Sequence, residues 1–288
     1  MIPAAFEYTR PASLDEALKL IAADGGGAKI IAGGQSLLPL LRLRLASAER
    51  LIDIGRLAEL KGVRKLPDGW LAVGAMTTYT ELMNSPAQHY GLLQDAVPHI
   101  GDVQVRNRGT VGGSVAHADP VSDLPACLLA LDAEIVARSP GGERTIDSIA
   151  FFRGPFETAL NPDEVLTEIR LPAPREDAGS AYVSLEQPAS GYAIVGVAAV
   201  VVRGGPGGPI VFATVAITGV GDVAYRATDV EGALTGSDGS AAAIEAAASH
   251  ATAGITVSGD IHADSAYRTA MAVVYTRRAI EAALARID

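Results

Sequence analysis

The chain has 288 residues, 49% of them apolar, and carries a formal net charge of -10 with a pI near 5.0. This length accommodates two or three compact units with cores of their own. The acidic balance, without a Lys/Arg cluster, argues against a nucleic-acid partner, because a phosphate backbone would be repelled. Cys127 is the only cysteine, so an iron–sulfur centre or a thiolate zinc site would have to lie on another chain.

The chain shows no targeting or membrane signal. Residues 1–10 lack the basic-then-apolar pattern of a signal peptide, and the longest apolar run covers residues 193–202. A membrane helix needs about 20 such residues. We therefore expect a cytoplasmic protein without a membrane span.

Residues 1–56 read as a small βαβ-like lobe. The Ser13–Glu16 spacing is that of a capping box and predicts a helix that ends at Gly25. The remaining predicted elements are a strand over 28–32, a leucine-rich helix over 37–45 and a strand over 50–54.

Two further units follow, and together with the first they predict an α+β protein. Residues 57–175 alternate like an antiparallel sheet, with strands at 70–76, 133–138 and 164–171 and helices at 78–84 and 125–131. Residues 176–288 hold strands at 192–202 and 209–219 and alanine-rich helices at 241–253 and 265–286. The polar segment 173–179 marks the boundary between these two units.

Two glycine segments are candidate phosphate sites. The first, Ala32–Leu37, follows a strand and precedes a helix; the second, Thr110–Ser114, contains Gly112 and Gly113. Adjacent glycines let successive N–H groups point into one concavity, which suits an anion. Neither segment has the lysine of a Walker P-loop, so a bound cofactor is favoured over a hydrolysed nucleotide.

A third glycine motif competes with these segments. The run 219–224 matches the dinucleotide fingerprint G-x-G-x-x-A, but no clean apolar helix follows it and Glu231 comes too early for the ribose-binding acid. We interpret this run as a tight turn.

Other polar residues have two interpretations each. His117, Asp119 and Asp123 could hold a metal, although bonds that stabilise their own loop are equally natural beside Pro120. Cys127 lies in an apolar helical context, where a thiol is inert packing. The arginines at 42 and 44 are either solvated or in contact with a phosphate or a partner subunit.

Because of these two glycine segments and the residues around them, the chain resembles the FAD-binding medium subunit of molybdenum hydroxylases. This is the family of carbon monoxide dehydrogenase and xanthine dehydrogenase. The resemblance covers nearly the whole chain and rests on residues 31–39, 105–114, 116–120 and 122–123. The Tyr192-Ala193-Ile194 run and the helix around Arg268 resemble the small third domain of that family.

The resemblance implies an FAD-binding fold of the vanillyl-alcohol-oxidase and p-cresol-methylhydroxylase type, with FAD between the first two lobes. By position, the glycine segments would hold the pyrophosphate, Asp123 the adenosine ribose, Leu166 the adenine side and Tyr192 the isoalloxazine. The full set of implied FAD contacts is Ala32, Gly33, Gly34, Gln35, Ser36, Leu37, Ile100, Thr110, Gly112, Gly113, Ser114, His117, Asp119, Asp123, Leu166 and Tyr192. The resemblance implies no catalytic residue and no metal ligand on this chain.

The chain departs from the family at one place. Relatives often carry basic residues before the segment that here starts at Tyr192, whereas residues 183–191 have none and Gly191 stands at the position of an acid. A lysine-dependent flavin contact is therefore not expected here.

The implied function is electron transfer. A molybdenum cofactor on a large subunit would oxidise the substrate, 2Fe-2S clusters on a small subunit would carry the electrons, and FAD on this chain would pass them to an external acceptor. The expected assembly is a dimer of heterotrimers. The alternatives are a self-sufficient flavin oxidase or dehydrogenase of the same fold, whose only evident base is Tyr192, and a non-enzymatic nucleotide- or anion-binding module.

A substitution in the second glycine segment tests this interpretation. We expect Gly113→Val to abolish FAD binding with the fold largely retained, because a branched side chain would occupy a close backbone approach. The flavin absorbance per purified chain measures the effect. Unchanged FAD occupancy would place the site elsewhere.

Overall fold

Three main β-sheets and a two-stranded ribbon organise the chain. The computed structural model describes residues 2–287. Met1 and Asp288, the outer limits of the first and third expected domains, lie outside the described residues. The α+β class expected from the sequence is confirmed. Within residues 2–287, every helix is too short or too polar to cross a lipid bilayer.

The N-terminal sheet is parallel, with the strand order β1-β3-β2. Its elements are β1 (Glu7–Thr9), α1 (Leu14–Asp24), β2 (Ala28–Ile31), α2 (Leu37–Leu43) and β3 (Arg50–Asp53). The β2-α2-β3 unit is the predicted βαβ succession, and β1 is an additional edge strand. Helix α2 ends two residues earlier than predicted, because Arg44 adopts a left-handed backbone with φ 58°. Ile31 and Asp53 are paired at the carboxyl edge of the sheet, where the first glycine segment begins.

The middle sheet is antiparallel, with the order β4-β5-β10-β6-β7. It contains all three strands predicted between residues 57 and 175. The elements of this region are β4 (Val63–Lys65), β5 (Leu71–Gly74), α3 (Tyr79–Met83), α4 (Gly91–Ala96), α5 (Val103–Arg106), α6 (Val111–His117), α7 (Asp123–Ala130), β6 (Glu134–Ser139), β7 (Gly142–Asp147), α8 (Ser148–Phe151), the ribbon strands β8 (Phe152–Gly154) and β9 (Glu157–Thr158), and β10 (Val165–Leu171), with short 3-10 turns at Ala58–Leu60, Pro86–His89 and Val97–His99.

The C-terminal sheet is antiparallel, with the order β11-β12-β13-β14. Its elements are β11 (Ala178–Glu186), β12 (Ala193–Arg203), β13 (Ile210–Thr218), β14 (Tyr225–Arg226), α9 (Thr228–Leu234), α10 (Ala241–Ala248) and α11 (Ser265–Leu284). Strand β11 begins inside the polar segment 173–179, which was interpreted as a boundary. Helix α10 is shorter than predicted, because the chain turns after Ala248.

Both faces of the C-terminal sheet are buried. Along β12, Ala198 and Val200 belong to the core shared with the middle lobe, whereas Val197, Ala199 and Val201 face the core beneath α11. Because both faces of β12 are buried, its sequence is one continuous run of apolar residues.

Helix α7 fills the space between the middle lobe and this sheet. All eight of its residues are buried, as expected for a helix that is apolar on every side. Its Cys127 is fully buried, and burial raises the pKa of the thiol well above its usual range. The interpretation of Cys127 as inert packing therefore agrees with the structure.

The second glycine segment, Thr110–Ser114, lies at the start of a helix. Residues 111–117 form α6, whose first turn is capped by the Thr110 hydroxyl, which accepts a hydrogen bond from the Gly113 N–H at 3.2 Å. The glycines serve helix packing here. A Cβ on Gly112 would lie 2.6 Å from the Ala75 Cα, so only glycine lets α6 approach β5 this closely.

A pair of glycine substitutions tests the packing of the C-terminal domain. A Cβ on Gly179 in β11 would collide with the Ala283 carbonyl of α11, whereas a Cβ on Gly232 in α9 would meet nothing within 4 Å. We expect Gly179→Ala to lower the free energy of unfolding by about 1–3 kcal/mol and Gly232→Ala to raise it by about 0.5–1 kcal/mol. Urea denaturation measures both, and equal midpoints would contradict the described packing.

Candidate functional site

The two glycine segments meet through their backbones. A Cβ on Gly33 would lie 2.9 Å from the Gly109 Cα and still closer to the Arg108 carbonyl oxygen. A Cβ on Gly113 would lie 3.4 Å from the Ala32 Cβ. The segment that follows β2 therefore rests directly on the residues that lead into α6. This contact brings together the two segments that sequence analysis singled out.

The first glycine segment presents a row of backbone donors. No acceptor among residues 2–287 forms a hydrogen bond with the N–H groups of residues 33–37. Gly34 has φ 74°, the left-handed conformation that glycine favours. The Ser36 hydroxyl makes no capping bond at the start of α2. Successive unpaired N–H groups around a left-handed residue form an anion-binding concavity.

The second glycine segment does not provide such donors, which corrects the idea of two equivalent anion nests. The Val111 N–H donates to the Thr77 carbonyl and the Gly112 N–H to the Ala75 carbonyl, both at 2.9 Å. The Gly113 N–H bonds the Thr110 hydroxyl, as described above, and the Ser114 N–H bonds the Thr110 carbonyl at 3.1 Å. The second segment thus contributes side chains and a packing surface, and the first contributes the N–H groups.

A chain of hydroxyl groups lies at the α6 side of the site. Ser114 Oγ is 3.2 Å from Ser122 Oγ, and the buried Tyr79 phenol lies near Ser114. Burial raises the pKa of Tyr79 far above its usual value, so this phenol stays protonated. These three hydroxyls come from α3, α6 and the turn that precedes α7.

Asp123 is the first residue of α7 and is 5% exposed. Its Oδ1 accepts a hydrogen bond from the Tyr182 hydroxyl at 2.5 Å. Burial raises the pKa of this carboxyl to about 6, and the Tyr182 bond acts in the opposite direction. The expected ribose contact would therefore have to use the second oxygen of an almost buried group.

The other polar residues of the second motif stabilise their own surroundings. Burial lowers the pKa of His117, so the imidazole is neutral at neutral pH, and its ring lies 5.0 Å from the Phe156 ring, centre to centre. The Asp119 carboxylate accepts the Val121 N–H at 3.1 Å. In the part of the chain that the structure describes, no group of three or more His, Cys, Asp or Glu side chains is arranged to hold a metal ion.

The remaining candidate residues lie around this centre. Ile100 packs, half-buried, against the core of the middle lobe. Leu166 is 5% exposed in β10, in the same core. Tyr192 is 44% exposed, and burial, Asp119 and Asp123 together raise the pKa of its phenol. Tyr192 therefore faces the acidic side of the site.

The segment without basic residues forms the end of β11 and a closed turn. The Gln187 N–H donates to the Tyr192 carbonyl at 2.8 Å. The charged group here is Glu186, whose Oε1 lies 2.8 Å from Nδ1 of His99. Gly191 has φ 75° in this turn, which explains a glycine at this position.

The competing glycine motif is a turn, as interpreted from the sequence. Gly219 has φ 81°, its N–H donates to the Pro120 carbonyl at 2.9 Å, and β14 follows in place of a helix. The arginines at 42 and 44 are exposed.

Three residues that shape the site were not predicted from the sequence. Tyr79, Tyr182 and Thr218 come from α3, β11 and β13 and converge on residues 114–123. Each lies in an ordinary amphipathic or apolar pattern. The Thr78–Glu81 capping box before α3 was the one local signal, and it indicates only where a helix begins.

Comparisons with known proteins identify the class to which this site belongs. Residues 4–174 match the family model described as "FAD binding domain in molybdopterin dehydrogenase", and residues 180–283 match the model described as "CO dehydrogenase flavoprotein C-terminal domain". The chain is 40% identical to the carbon monoxide dehydrogenase medium chain of Hydrogenophaga pseudoflava, over 99% of both chains. It is 36% identical to the 6-hydroxypseudooxynicotine dehydrogenase complex subunit alpha of Paenarthrobacter nicotinovorans, over 99% of this chain and 97% of that one.

Comparison with solved structures identifies the same class of protein. A chain of the carbon monoxide dehydrogenase structure from Hydrogenophaga pseudoflava, in a form that lacks the Mo-pyranopterin moiety of the cofactor, superposes with a TM-score of 0.95 at 42% identity over 99% of both chains. The chain belongs to the family of FAD-binding subunits of molybdenum hydroxylases. The resemblance noted in the sequence is confirmed, and the chain is an oxidoreductase subunit whose cofactor is FAD.

The geometry fits this cofactor. FAD carries a diphosphate, and the first glycine segment offers unpaired N–H groups beside a glycine whose Cβ would collide with the opposite segment. Dipoles of this kind stabilise an anion without lysine side chains. The fit is asymmetric, because only one of the two segments has free backbone donors.

Gly33→Ala tests this arrangement against a matched control. The added methyl group must push the first segment away from Arg108 and Gly109, so we expect FAD affinity to fall at least about 100-fold, as when a binding geometry is displaced by about an ångström. Gly232→Ala, the same change in open space, should keep full FAD occupancy. FAD content and dissociation constant are measured by flavin absorbance and fluorescence. Equal occupancy in the two variants would contradict the proposed close contact.

Proposed function

We propose that this chain is the electron-transfer flavoprotein subunit of a molybdenum hydroxylase complex. It receives electrons from iron–sulfur clusters on a partner chain and passes them to an external acceptor. The observation that carries the proposal is the contact of Gly33 with Arg108–Gly109, which places a row of unpaired N–H groups at the junction of two lobes. When bound, FAD supplies the redox centre.

The cofactor lies between residues 1–56 and 57–175 in this proposal, and residues 176–288 form the third domain. The N–H groups of residues 33–37 and the Ser36 hydroxyl bind the pyrophosphate. Thr110 and Ser114 line the opposite side, and Asp123 accepts a hydrogen bond from the ribose. Supporting this placement, the segment with the unpaired donors lies against the capped helix start of the other segment.

Five further residues form the outer contacts of the cofactor in this proposal. Leu166 packs on the adenine side, Ile100 and Tyr192 lie by the isoalloxazine, and His117 and Asp119 shape the second segment. The neutral, half-buried His117 and the turn-closing Asp119 are suited to shaping the wall of the site. No residue of this chain acts as a general acid or base in the proposal.

The partners are a large subunit with the molybdenum cofactor and a small subunit with 2Fe-2S clusters, assembled as a dimer of heterotrimers in the cytoplasm. Two observations support partner chains. The relatives are called medium chains, medium subunits or subunits of a complex. The single cysteine is buried in α7, so this chain cannot ligate an iron–sulfur cluster through cysteines.

The substrate is set on another chain. Relatives at 35–40% identity are named for carbon monoxide, glyceraldehyde and nicotine, so the proposal leaves the substrate class to the molybdenum-bearing partner.

Purification of the complex tests this function. We expect FAD to remain with this chain, and iron and molybdenum to remain with the co-purifying chains, when the complex is separated under mild conditions. The flavin absorbance of the reassembled complex should bleach anaerobically when the substrate of the large subunit is added.

The isolated chain is the control. Its bound flavin should stay oxidised when the same substrate is added without partner chains. Direct reduction would favour a self-sufficient flavin dehydrogenase, and a colourless chain that cannot be reconstituted with FAD would exclude both flavoprotein functions.

A further inference from the structure

Tyr182 reaches the proposed FAD site from the C-terminal domain. It lies in β11, where it pairs with Ala198 of β12, and it is 4% exposed. Its hydroxyl passes over Gly196, where any Cβ would collide with the phenol oxygen. The glycine therefore opens the passage through which the hydroxyl reaches Asp123.

Among residues 2–287, the Asp123 carboxylate at the end of this passage has no cationic partner. No Lys, Arg or His nitrogen of the described residues lies within 4.0 Å of an Asp123 oxygen. Tyr182 is the only side chain among residues 2–287 that donates a hydrogen bond to the Asp123 carboxylate. A buried carboxylate without a cation depends on such donors to remain ionised.

We propose that Tyr182 is a positioning residue of the FAD site: its hydroxyl holds the Asp123 carboxylate ionised and in place, and it thereby sets the lowest pH at which FAD is retained. This inference rests on the proposed function, in which Asp123 accepts a hydrogen bond from the ribose. The carboxylate can accept that bond through its second oxygen while the first is held by Tyr182.

The turn that precedes Asp123 is held by hydrogen bonds that do not involve Tyr182. The Thr218 hydroxyl lies 2.9 Å from the carbonyl oxygens of both Pro120 and Ser122, and the Gly219 N–H also donates to Pro120. These bonds hold the backbone of the turn. Loss of the Tyr182 hydroxyl therefore changes the charge and orientation of the Asp123 side chain more than the course of the chain.

The surroundings of Asp123 decide the sign of the pH effect. The pKa of Asp123 is raised to about 6, because burial and the nearby Glu186 carboxylate outweigh the Tyr182 hydrogen bond and His99, which lower it. The titratable groups that face Asp123 are Tyr182 and Glu186 from β11, His99 from the turn after α4, Tyr79 from α3, Cys127 from α7, and Tyr192. Without the Tyr182 hydroxyl the pKa rises, so the neutral acid appears at a higher pH and the ribose contact is lost there.

The test measures the dissociation constant of FAD for the deflavinated full chain between about pH 5 and pH 9, where Asp123 changes its charge. In the native chain, affinity should fall as the pH falls through about 6. In Tyr182→Phe the fall should begin about one pH unit higher, because a hydrogen bond to a charged group is lost. Above pH ~8, where both carboxylates are ionised, the two affinities should agree within about twofold.

Tyr90→Phe is the matched control. It removes another buried phenol hydroxyl, which donates to the Pro172 carbonyl at 2.6 Å, and it should keep the native pH profile. Asp123→Asn should bind FAD with an affinity that no longer changes across the same pH range. Circular dichroism and urea midpoints establish that each variant is folded.

Specific outcomes overturn the proposal. A Tyr182→Phe profile that coincides with the native one, or that lies below it by the same factor at every pH, would show that Tyr182 is only structural. A native pH profile in Asp123→Asn would also overturn it, and this variant decides the question if Tyr182→Phe does not fold. A native chain that binds no FAD at any pH would instead contradict the proposed function.

Discussion

The close backbone contact between Gly33 and residues 108–109 is the constraint on which the rest of the site depends. Because no side chain separates the two segments, the end of a parallel strand in one lobe lies against the approach to α6 in the next. In the part of the chain that the structure describes, the N–H groups of residues 33–37 in this segment have no acceptor. A protein with a net charge of -10 can thus receive a diphosphate on backbone dipoles, without a cluster of cationic side chains.

The two glycine pairs resemble each other in sequence and do different things in the structure. In the first, a left-handed Gly34 breaks the hydrogen-bond pattern and exposes donors. In the second, Thr110 caps a helix and Gly112 gives that helix its close approach to Ala75. A glycine pair alone carries no information about which outcome applies, because both depend on what the neighbouring N–H groups find as acceptors.

The C-terminal domain takes part in the site through its sheet. Thr218 and Gly219 bind the carbonyls of the turn before α7, and Tyr182 binds the first side chain of that helix. Arg268 of α11, 4% exposed, in turn donates to the Gly219 carbonyl. Removal of such a buried cation would leave its acceptors unpaired in the interior, so α11 and the turn are coupled through one side chain.

The sequence by itself determined the α+β class, most strands and helices, the first glycine segment and, through its motifs, the family. These properties are local, because they depend on apolar periodicity, caps and short runs of residues. The tertiary structure alone decided which glycine segment has free N–H groups, that Thr110–Ser114 opens a helix, and that Tyr182 holds Asp123. These properties depend on residues far apart in the chain, such as Tyr182 and Asp123, which are 59 positions apart. Their partners become apparent only when distant strands and helices pack together.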